Sequence, residues 1–399
     1  MRKLYFILLF VSTATFAQIT VSTITPSFNG SGAVTIDEAG NIYIGDFGDF
    51  LGGPDTDGIP NNVMKLDTNL NLTVFANDFT GASGNEFDSN GILYQADIRD
   101  NAVYKIVNGS RELYTSQGLF SPVGIAFDSN DNLYVCNCGV SNIRKITPDG
   151  TSTLFSTGNG LLACPNGMTI DENGNLYVVN FSNTNIVKIQ PDGTATNIGN
   201  TVGGNGHIDY DVNTNNLYIA SFGTNLIYYL DLDNLTSGTS IIAGTVVAGT
   251  GMGVAGNDDG SALSSTFSAP NGIAVSKTGD SLYINSSATL NNNNLNPQYV
   301  RLLTNVLSTL SLNDYEAATN ELKIYPNPVK DTFMIESNFA NTNDLSIKIW
   351  DMNGKNIEFN ATSEASKLKV DVSKLKSGMY FYCIKAKTRK IKIGKLIKE

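Results

Sequence analysis

The chain carries few side chains able to do chemistry. His207 is the only histidine in 399 residues. One imidazole could act as a general base, but zinc wants three or four converging ligands and no second imidazole exists. The competing reading makes His207 a hydrogen-bonded structural residue. Asp55-Thr56-Asp57-Gly58 alternates acids and ends in glycine, a pattern able to bind calcium. No bidentate Glu follows at the right distance, so a solvated turn competes with it. Amides recur in Pro-Asn-Gly as Asn166 and Asn271, and rings recur as Phe47, Phe181 and Phe222. Together with Ser83 and Arg99, these groups suit a sugar or a peptide. The four cysteines are too few to build a disulfide scaffold. The chain has neither a phosphate-binding glycine loop nor a nucleophile elbow.

The elements that position these groups repeat. The clearest copy runs from Pro165-Asn166-Gly167-Met168-Thr169-Ile170-Asp171 through Asn173-Gly174 to Leu176-Tyr177-Val178-Val179-Asn180, then Ile186-Val187-Lys188-Ile189. Marker tyrosines at 43, 94, 134, 177, 218 and 283 give six copies. Four steps lie between 40 and 51 residues and the last is longer. Short apolar runs split by Asp, Asn and Gly at that period predict an all-β fold, a six-bladed β-propeller over residues 18–311. Asn and Gly tolerate the tight hairpin turn between the first and second strands. Stacking the blades into a ring supplies the core that none has alone. Alignment of the copies puts Gly32, Ser83, Val123, Asn166, Gly206 and Asn271 around the channel mouth. The second-strand exits add Asp46-Phe47, Asp97-Ile98-Arg99, Asn137-Cys138, Asn180-Phe181, Ser221-Phe222 and Asn285-Ser286. The three phenylalanines either line a polar binding face or pack between blades as core. Cys164 precedes the first strand of blade four, beside the exit that carries Cys136 and Cys138, so a disulfide from Cys164 to Cys138, or else to Cys136, is expected. The ring is expected to close with Ile19–Ile24 as the last blade's outer strand, although Val306–Leu310 competes for that slot.

This pattern resembles the NHL-repeat family of six-bladed propellers. The resemblance includes a long inter-blade linker from Ala248-Gly249-Thr250-Gly251 through Asp258-Asp259-Gly260 and Phe267 to Pro270-Asn271-Gly272. That family serves mostly as scaffold. Six-bladed relatives of the gluconolactonase type hold a divalent cation with a Glu, an Asp and amide oxygens at the mouth. By that resemblance Asn166 and Asn271 match the amides, Gly32 stands where the Glu is expected, and Gly206 or Val123 stands where the acid should lie. Without acids a catalytic cation lacks charge compensation and a base. The expectation is a non-catalytic binding or adhesion module for a glycan or a peptide or protein ligand, with no cofactor unless calcium binds. The alternative is a metal-dependent lactonase, hydrolase or lyase.

The last segment has another character. Up to Tyr315 the chain has 27 acids against 11 bases, and from Glu316 onward 10 against 15. The change of sign marks a boundary at a linker over 312–319, and the acidic part is unsuited to nucleic acid. Residues 320–399 contain Tyr325-Pro326-Asn327-Pro328, then Gly354, Gly378 and Tyr380, and close on Gly394-Lys395-Leu396-Ile397-Lys398. These motifs resemble the type A C-terminal sorting domain of the type IX secretion system, a small antiparallel sandwich. The resemblance implies that the secretion machinery of a Gram-negative bacterium reads this segment, and it places the protein outside the cell or on its surface. Cys383 is expected to be a buried thiol of this sandwich. At the other end, Arg2 and Lys3 precede an apolar run and small residues. This is a signal peptide over 1–17, with cleavage expected between Ala17 and Gln18. No later stretch is long enough for a transmembrane segment.

Overall fold

The structure, a computed structural model, describes residues 18–49, 58–244, 252–290, 295–306, 322–337, 345–350, 357, 359–364, 367–386 and 389–399. The expected signal peptide, Asp55 to Asp57, the 312–319 linker, Gly354 and the side chain of Cys383 lie outside them.

A blade is built around one aspartate. In the fourth, Asp171 Oδ1 accepts from the backbone N–H groups of Asn173 and Asn175, each at 2.9 Å, while Oδ2 accepts from Asn175 Nδ2 at 2.8 Å and the Tyr177 hydroxyl at 3.0 Å. The same network joins Asp37, Asn41 and Tyr43, and also Asp128, Asn132 and Tyr134. The marker tyrosine therefore recurs because its hydroxyl closes the turn that its own strand follows. Burial pushes the carboxyls of Asp37 and Asp128 up, but the donors on Asn41 and Asn132 prevail and hold both below the usual range.

Each turn joins an inner strand to its antiparallel neighbour within a sheet of four strands. The inner strands are Val34–Ile36, Ala82–Phe87, Pro122–Phe127, Pro165–Ile170, Ile208–Asp211 and Ile273–Val275, in blades one to six. In the sixth, Thr20–Thr23 pairs with Gln298–Thr304, which in turn pairs with Ser281–Ser287, so the N-terminal strand closes the ring. Val306, from the competing segment, is fully buried, and 307–310 lie outside the described residues.

One glycine per blade sets how close the blades come. A Cβ on Gly32 would lie 2.5 Å from Ala82 O, on Gly84 2.0 Å from Val123 O, and on Gly124 2.4 Å from Asn166 O. On Gly167 it would lie 2.5 Å from His207 Cα, on Gly206 2.4 Å from Asn271 O, and on Gly272 2.7 Å from Gly32 O. Each obstacle is backbone of the next blade, and the sixth returns to the first. The inner ring is therefore packed too tightly for any side chain at these positions. Outside it, an apolar cluster fills each of the six blade interfaces. Between blades three and four, for example, Tyr134, Cys136 and Ile143 meet Met168, Leu176 and Val178.

The long last step belongs to the linker before blade six. Its Gly260–Ser261 adds a fifth strand outside Thr20–Thr23. Arg301, fully buried, clamps it. Nη1 donates to Thr266 O, Nη2 donates to Asp258 O and Asp259 Oδ1, and the guanidinium lies over the Phe267 ring. Ala248 to Gly251, the start of the expected linker, lie outside the described residues.

The C-terminal residues form two antiparallel sheets around one core. One orders Leu322–Tyr325, Thr332–Ser337, Lys367–Asp371 and Asn360–Glu364, and the other Leu345–Trp350, Gly378–Ala386 and Arg389–Lys398. Phe333, Ile349, Tyr382 and Leu396 are among the buried side chains between them. Asn360–Glu364 is a strand that the sequence reading did not include. Its Asn-Ala-Thr-Ser-Glu run has no apolar alternation to reveal it.

Candidate ligand-binding face

The polar residue at every second-strand exit is fully buried: Asp46, Asp97, Asn137, Asn180, Ser221 and Asn285. Each holds the loop that enters its own inner strand. Asn180 Oδ1 accepts from Ala163 N–H at 3.0 Å while Nδ2 donates to Leu161 O at 3.1 Å, and Asn137 treats Phe120 and Gly118 alike. Asp97 accepts from Thr80 N–H and Oγ1, and Ser221 Oγ donates to Gly204 O. Asn285 Nδ2 donates to Gly30 O and Gly32 O, each at 2.7 Å, stitching blade six to blade one. Asp46 Oδ1 accepts from Ser31 Oγ, Gly48 N–H and Asn296 Nδ2. Its other oxygen has no hydrogen-bond partner, and burial raises its pKa. These exits are locks for the loops and offer a ligand little.

Four of the expected face residues are buried in the same way. Ser83 Oγ donates to Ala96 O and to Pro122 O of the next blade. Asn166 Nδ2 donates to Asn205 O and Gly206 O, each at 3.0 Å, and Asn271 Nδ2 to Ser31 O at 2.6 Å. His207 is buried, and burial pushes its pKa down to about 4, which leaves the imidazole neutral at pH 7. The other four, Phe47, Arg99, Phe181 and Phe222, are half-buried. Phe181 and Phe222 stack with ring centroids 4.8 Å apart and an interplanar angle of 23°. They sit over Gly204, where a Cβ would meet the Phe222 ring at 2.8 Å. Neither ring joins the apolar cluster between blades four and five. Phe47 is placed apart from this pair, and its carbonyl accepts from Arg99 Nη1, which also donates to Thr80 O at 2.7 Å.

The disulfide joins Cys138 to Cys164, tying blade three to blade four on this face, and Cys136 is a buried free thiol between the same blades. Gly139 N–H donates to Phe120 O, so the exposed Phe120 and Val140 flank the disulfide loop. The sequence reading passed over Phe120. Its signal was an aromatic residue in the loop just before the inner strand, where no core position exists.

The channel is narrow. It holds a void of about 30 Å³, lined by Val34, Asn85, Ile125, Met168, Ile208 and Ile273, with Thr35, Glu86, His207 and Asp209 among the other groups that reach it. A drug-sized ligand needs roughly 300 Å³ or more, so a ligand of that size meets the rim and not the channel. Burial pushes the Glu86 carboxyl up to about 7, against the Phe87 N–H bond and helped by the charge of Asp209. Burial likewise raises Asp209 to about 6, against N–H bonds from Val275 and Tyr210. The sequence reading missed both acids, though a signal was present, because they occupy one repeat position whose other occupants are Thr or Ala.

A divalent cation at the mouth does not fit the side chains there. Asn166 and Asn271 donate through their nitrogens and keep their amide oxygens, but Gly32, Val123 and Gly206 bring no carboxylate to neutralise a cation, and Asp46 Oδ1 is turned into its own lock. Among the described residues no three His, Cys, Asp or Glu side chains gather around one point.

Five four-stranded sheets and one five-stranded sheet in a closed ring make the main body a β-propeller, and the C-terminal sandwich is a separate kind of unit. Residues 323–399 match the family described as secretion system C-terminal sorting domain, so the chain ends in such a domain and is secreted or displayed at the cell surface. Residues 4–156 match the SMP-30/Gluconolactonase/LRE-like region, a propeller-type domain. No curated protein sequence matches the chain.

Solved structures share the fold. One is a protein of unknown function from Bacteroides thetaiotaomicron VPI-5482, at 16% identity and TM-score 0.55, covering 72% of this chain and 76% of that one. An auxiliary nutrient binding protein from Bacteroides ovatus aligns at 14% identity and TM-score 0.52, over 72% of this chain and 76% of its own. A gluconolactonase from Xanthomonas campestris aligns at 13% identity and TM-score 0.51, over 71% and 89%. No helix among the described residues is long and apolar enough to cross a membrane.

Proposed function

We propose that the exported propeller is a non-catalytic binding or adhesion module, taking a glycan or a peptide or protein ligand on the rim of its upper face. The observation that carries this reading is the division of labour among the polar groups. The mouth amides and the exit side chains are engaged in holding the ring, while the Phe181–Phe222 stack stays half-exposed above Gly204. A flat aromatic pair beside peptide carbonyls suits the apolar face of a sugar ring or an aliphatic or aromatic peptide side chain. Phe47 and Arg99 form a second contact point, with Arg99 fixed by the carbonyls it bonds. Glycan and peptide arrays probed with the full chain test the reading. Binding that F181A and F222A each reduce supports it. Binding that neither variant alters means the ligand sits elsewhere.

The match of residues 4–156 to the SMP-30/Gluconolactonase/LRE-like region favours a second reading, a metal-dependent lactonase or hydrolase. It has to recruit Asp46, whose Oδ2 lacks a hydrogen-bond partner, as its acid. Lactone turnover that needs a divalent cation and disappears in D46N would establish this reading against the first.

A further inference from the structure

The position opposite the marker tyrosine divides the ring into two matching halves. Tyr43, Tyr94 and Tyr134 pair with Thr35, Glu86 and Ala126, and Tyr177, Tyr218 and Tyr283 pair with Thr169, Asp209 and Ala274. Thr, acid, Ala is followed by Thr, acid, Ala. Blades two and five stand opposite each other in a ring of six, so the two carboxylates approach the channel from opposite sides. In each half the threonine of the preceding blade donates its hydroxyl to the acid, Thr35 to Glu86 at 3.4 Å and Thr169 to Asp209 at 3.3 Å.

Both acids line the 30 Å³ void, and no Lys or Arg does. A second, independent feature points to an occupant. Asn85 is 5% exposed and lines the same void, yet neither its amide nitrogen nor its amide oxygen has a hydrogen-bond partner. A buried amide left wholly unpartnered is costly. It is accounted for if its oxygen faces a bound ion and its nitrogen a water of that ion's shell.

We infer that the channel holds one hard cation, bound between Glu86 and Asp209 and completed by the Asn85 amide oxygen and water. Oxygen-only donors on two carboxylates suit calcium better than a transition metal, because calcium accepts flexible, partly hydrated coordination. The void has room for an ion with one or two waters and for nothing larger. The ion lies inside the ring and below the mouth. It joins opposite blades, so its effect is on the stability of the ring and not on turnover.

The full chain, stripped by chelator and dialysed, is melted against CaCl₂, MgCl₂ and NaCl, with the propeller transition followed by tyrosine circular dichroism. A saturable rise in melting temperature with calcium is expected. E86Q and D209N, each nearly isosteric, should lose that rise, and D55N/D57N should keep it. Calcium titrated by calorimetry supplies a readout independent of unfolding and should give one site per chain. A melting temperature blind to all three salts overturns the inference. A calcium response that survives in both E86Q and D209N overturns it too, and its loss in D55N/D57N alone would assign the ion to the Asp55–Gly58 loop.

Discussion

Replacing Gly84 by alanine tests whether backbone contact between inner strands sets the geometry of the ring. The new Cβ would meet Val123 O at 2.0 Å, Val123 C at 2.8 Å and Gly124 Cα at 2.9 Å. Ordinary contact begins near 3.4 Å, so blades two and three must part locally by about 1.4 Å. No flexible side chain can give way, because every obstacle is main chain. Overpacking of this kind costs about 1–3 kcal/mol. Parting the strands also strains the Ser83 Oγ bond to Pro122 O at 2.9 Å, for roughly 1 kcal/mol more. Alanine stiffens the unfolded chain and returns somewhat under 1 kcal/mol. The net expectation is a loss of about 2 kcal/mol, or roughly 4–8 °C in the propeller's melting temperature. Gly91→Ala is the control, since its φ of +75° strains any side chain but nothing lies within 4 Å. It should cost only about 1 kcal/mol. The chain supplies its own spectroscopic separation. Its only tryptophan, Trp350, lies in the strand Leu345–Trp350 of the sorting domain, so tryptophan fluorescence reports that domain, while tyrosine circular dichroism is weighted towards the propeller, with twelve tyrosines in 18–311 against Tyr325, Tyr380 and Tyr382 in the sorting domain. If G84A costs no more than G91A, the ring relaxes freely and the argument from blade contact is wrong.

Removing the disulfide with C138S/C164S should lower propeller stability by about 3.5 kcal/mol, the loop-closure value for a separation of 26 residues, with tyrosine signals as the monitor. Cys136 should stay unmodified by a thiol reagent in the native chain, as peptide mapping would show, because burial pushes its pKa up and closes access. In the sorting domain, Asn327 Nδ2 donates to Lys395 O at 2.8 Å and Oδ1 accepts from Ile397 N–H at 2.9 Å. N327A should therefore lower the Trp350 transition by about 1–2 kcal/mol and leave the propeller transition in place. The Asp37 and Asp128 carboxyls are held below their unfolded values, so what they add is present above about pH 4 and lost as pH falls through the folded values. Solvent screening limits each to under about 1 kcal/mol. Stability measured between pH 2 and about 5 should show an acid limb, flatter in D128N, and an unchanged limb in that variant would refute the assignment.

Much of the fold was legible because the repeat is written in residues that cannot be exchanged locally. Asp171, Asn175 and Tyr177 are three parts of one turn, so their spacing had to recur wherever the turn did. The closing strand was legible for a related reason, since Ile19-Thr20-Val21-Ser22-Thr23-Ile24 has the threonine-rich character of Thr151-Ser152-Thr153-Leu154-Phe155, the outer strand of blade three. The Cys138–Cys164 pair followed from which loops share a face, but the choice between Cys136 and Cys138 depended on the pleat at the end of Leu133–Asn137. The face was harder to read. Alignment put Asn166, Asn271 and Ser83 at the mouth, but sequence position does not say whether a polar group points at solvent or at the next blade's carbonyl. In a ring whose inner strands touch, every inner-strand carbonyl lacking a sheet partner takes a donor from wherever it can. The amides were spent there, and the part left over for a ligand was the phenylalanine rim.

The same accounting isolates Glu86 and Asp209. The mouth amides and the exit side chains answer needs of the ring, as Asn285 does in joining blade six to blade one. Glu86 and Asp209 do so only in part: Asp209 accepts from Val275 N–H of the next blade and each accepts a threonine hydroxyl of the preceding blade, yet both also face one void. Their N–H and hydroxyl donors satisfy only part of their acceptor capacity, and their mutual repulsion is relieved by no Lys or Arg in that lining. Thr or Ala fills the equivalent position in the other four blades, so the fold itself requires no acid there. A chain that keeps opposed acids where alanine would serve gains something by them, and a cation between them is the gain that also accounts for the unpartnered amide of Asn85. E86Q/D209N separates the two possibilities, because it removes both charges and keeps an oxygen to accept from the Val275, Tyr210 and Phe87 N–H groups. If the acids serve only as hydrogen-bond acceptors, calcium raises the melting temperature of neither the wild type nor the double variant. If they hold an ion, the double variant melts at or above stripped wild type, because the repulsion is gone, and below calcium-loaded wild type.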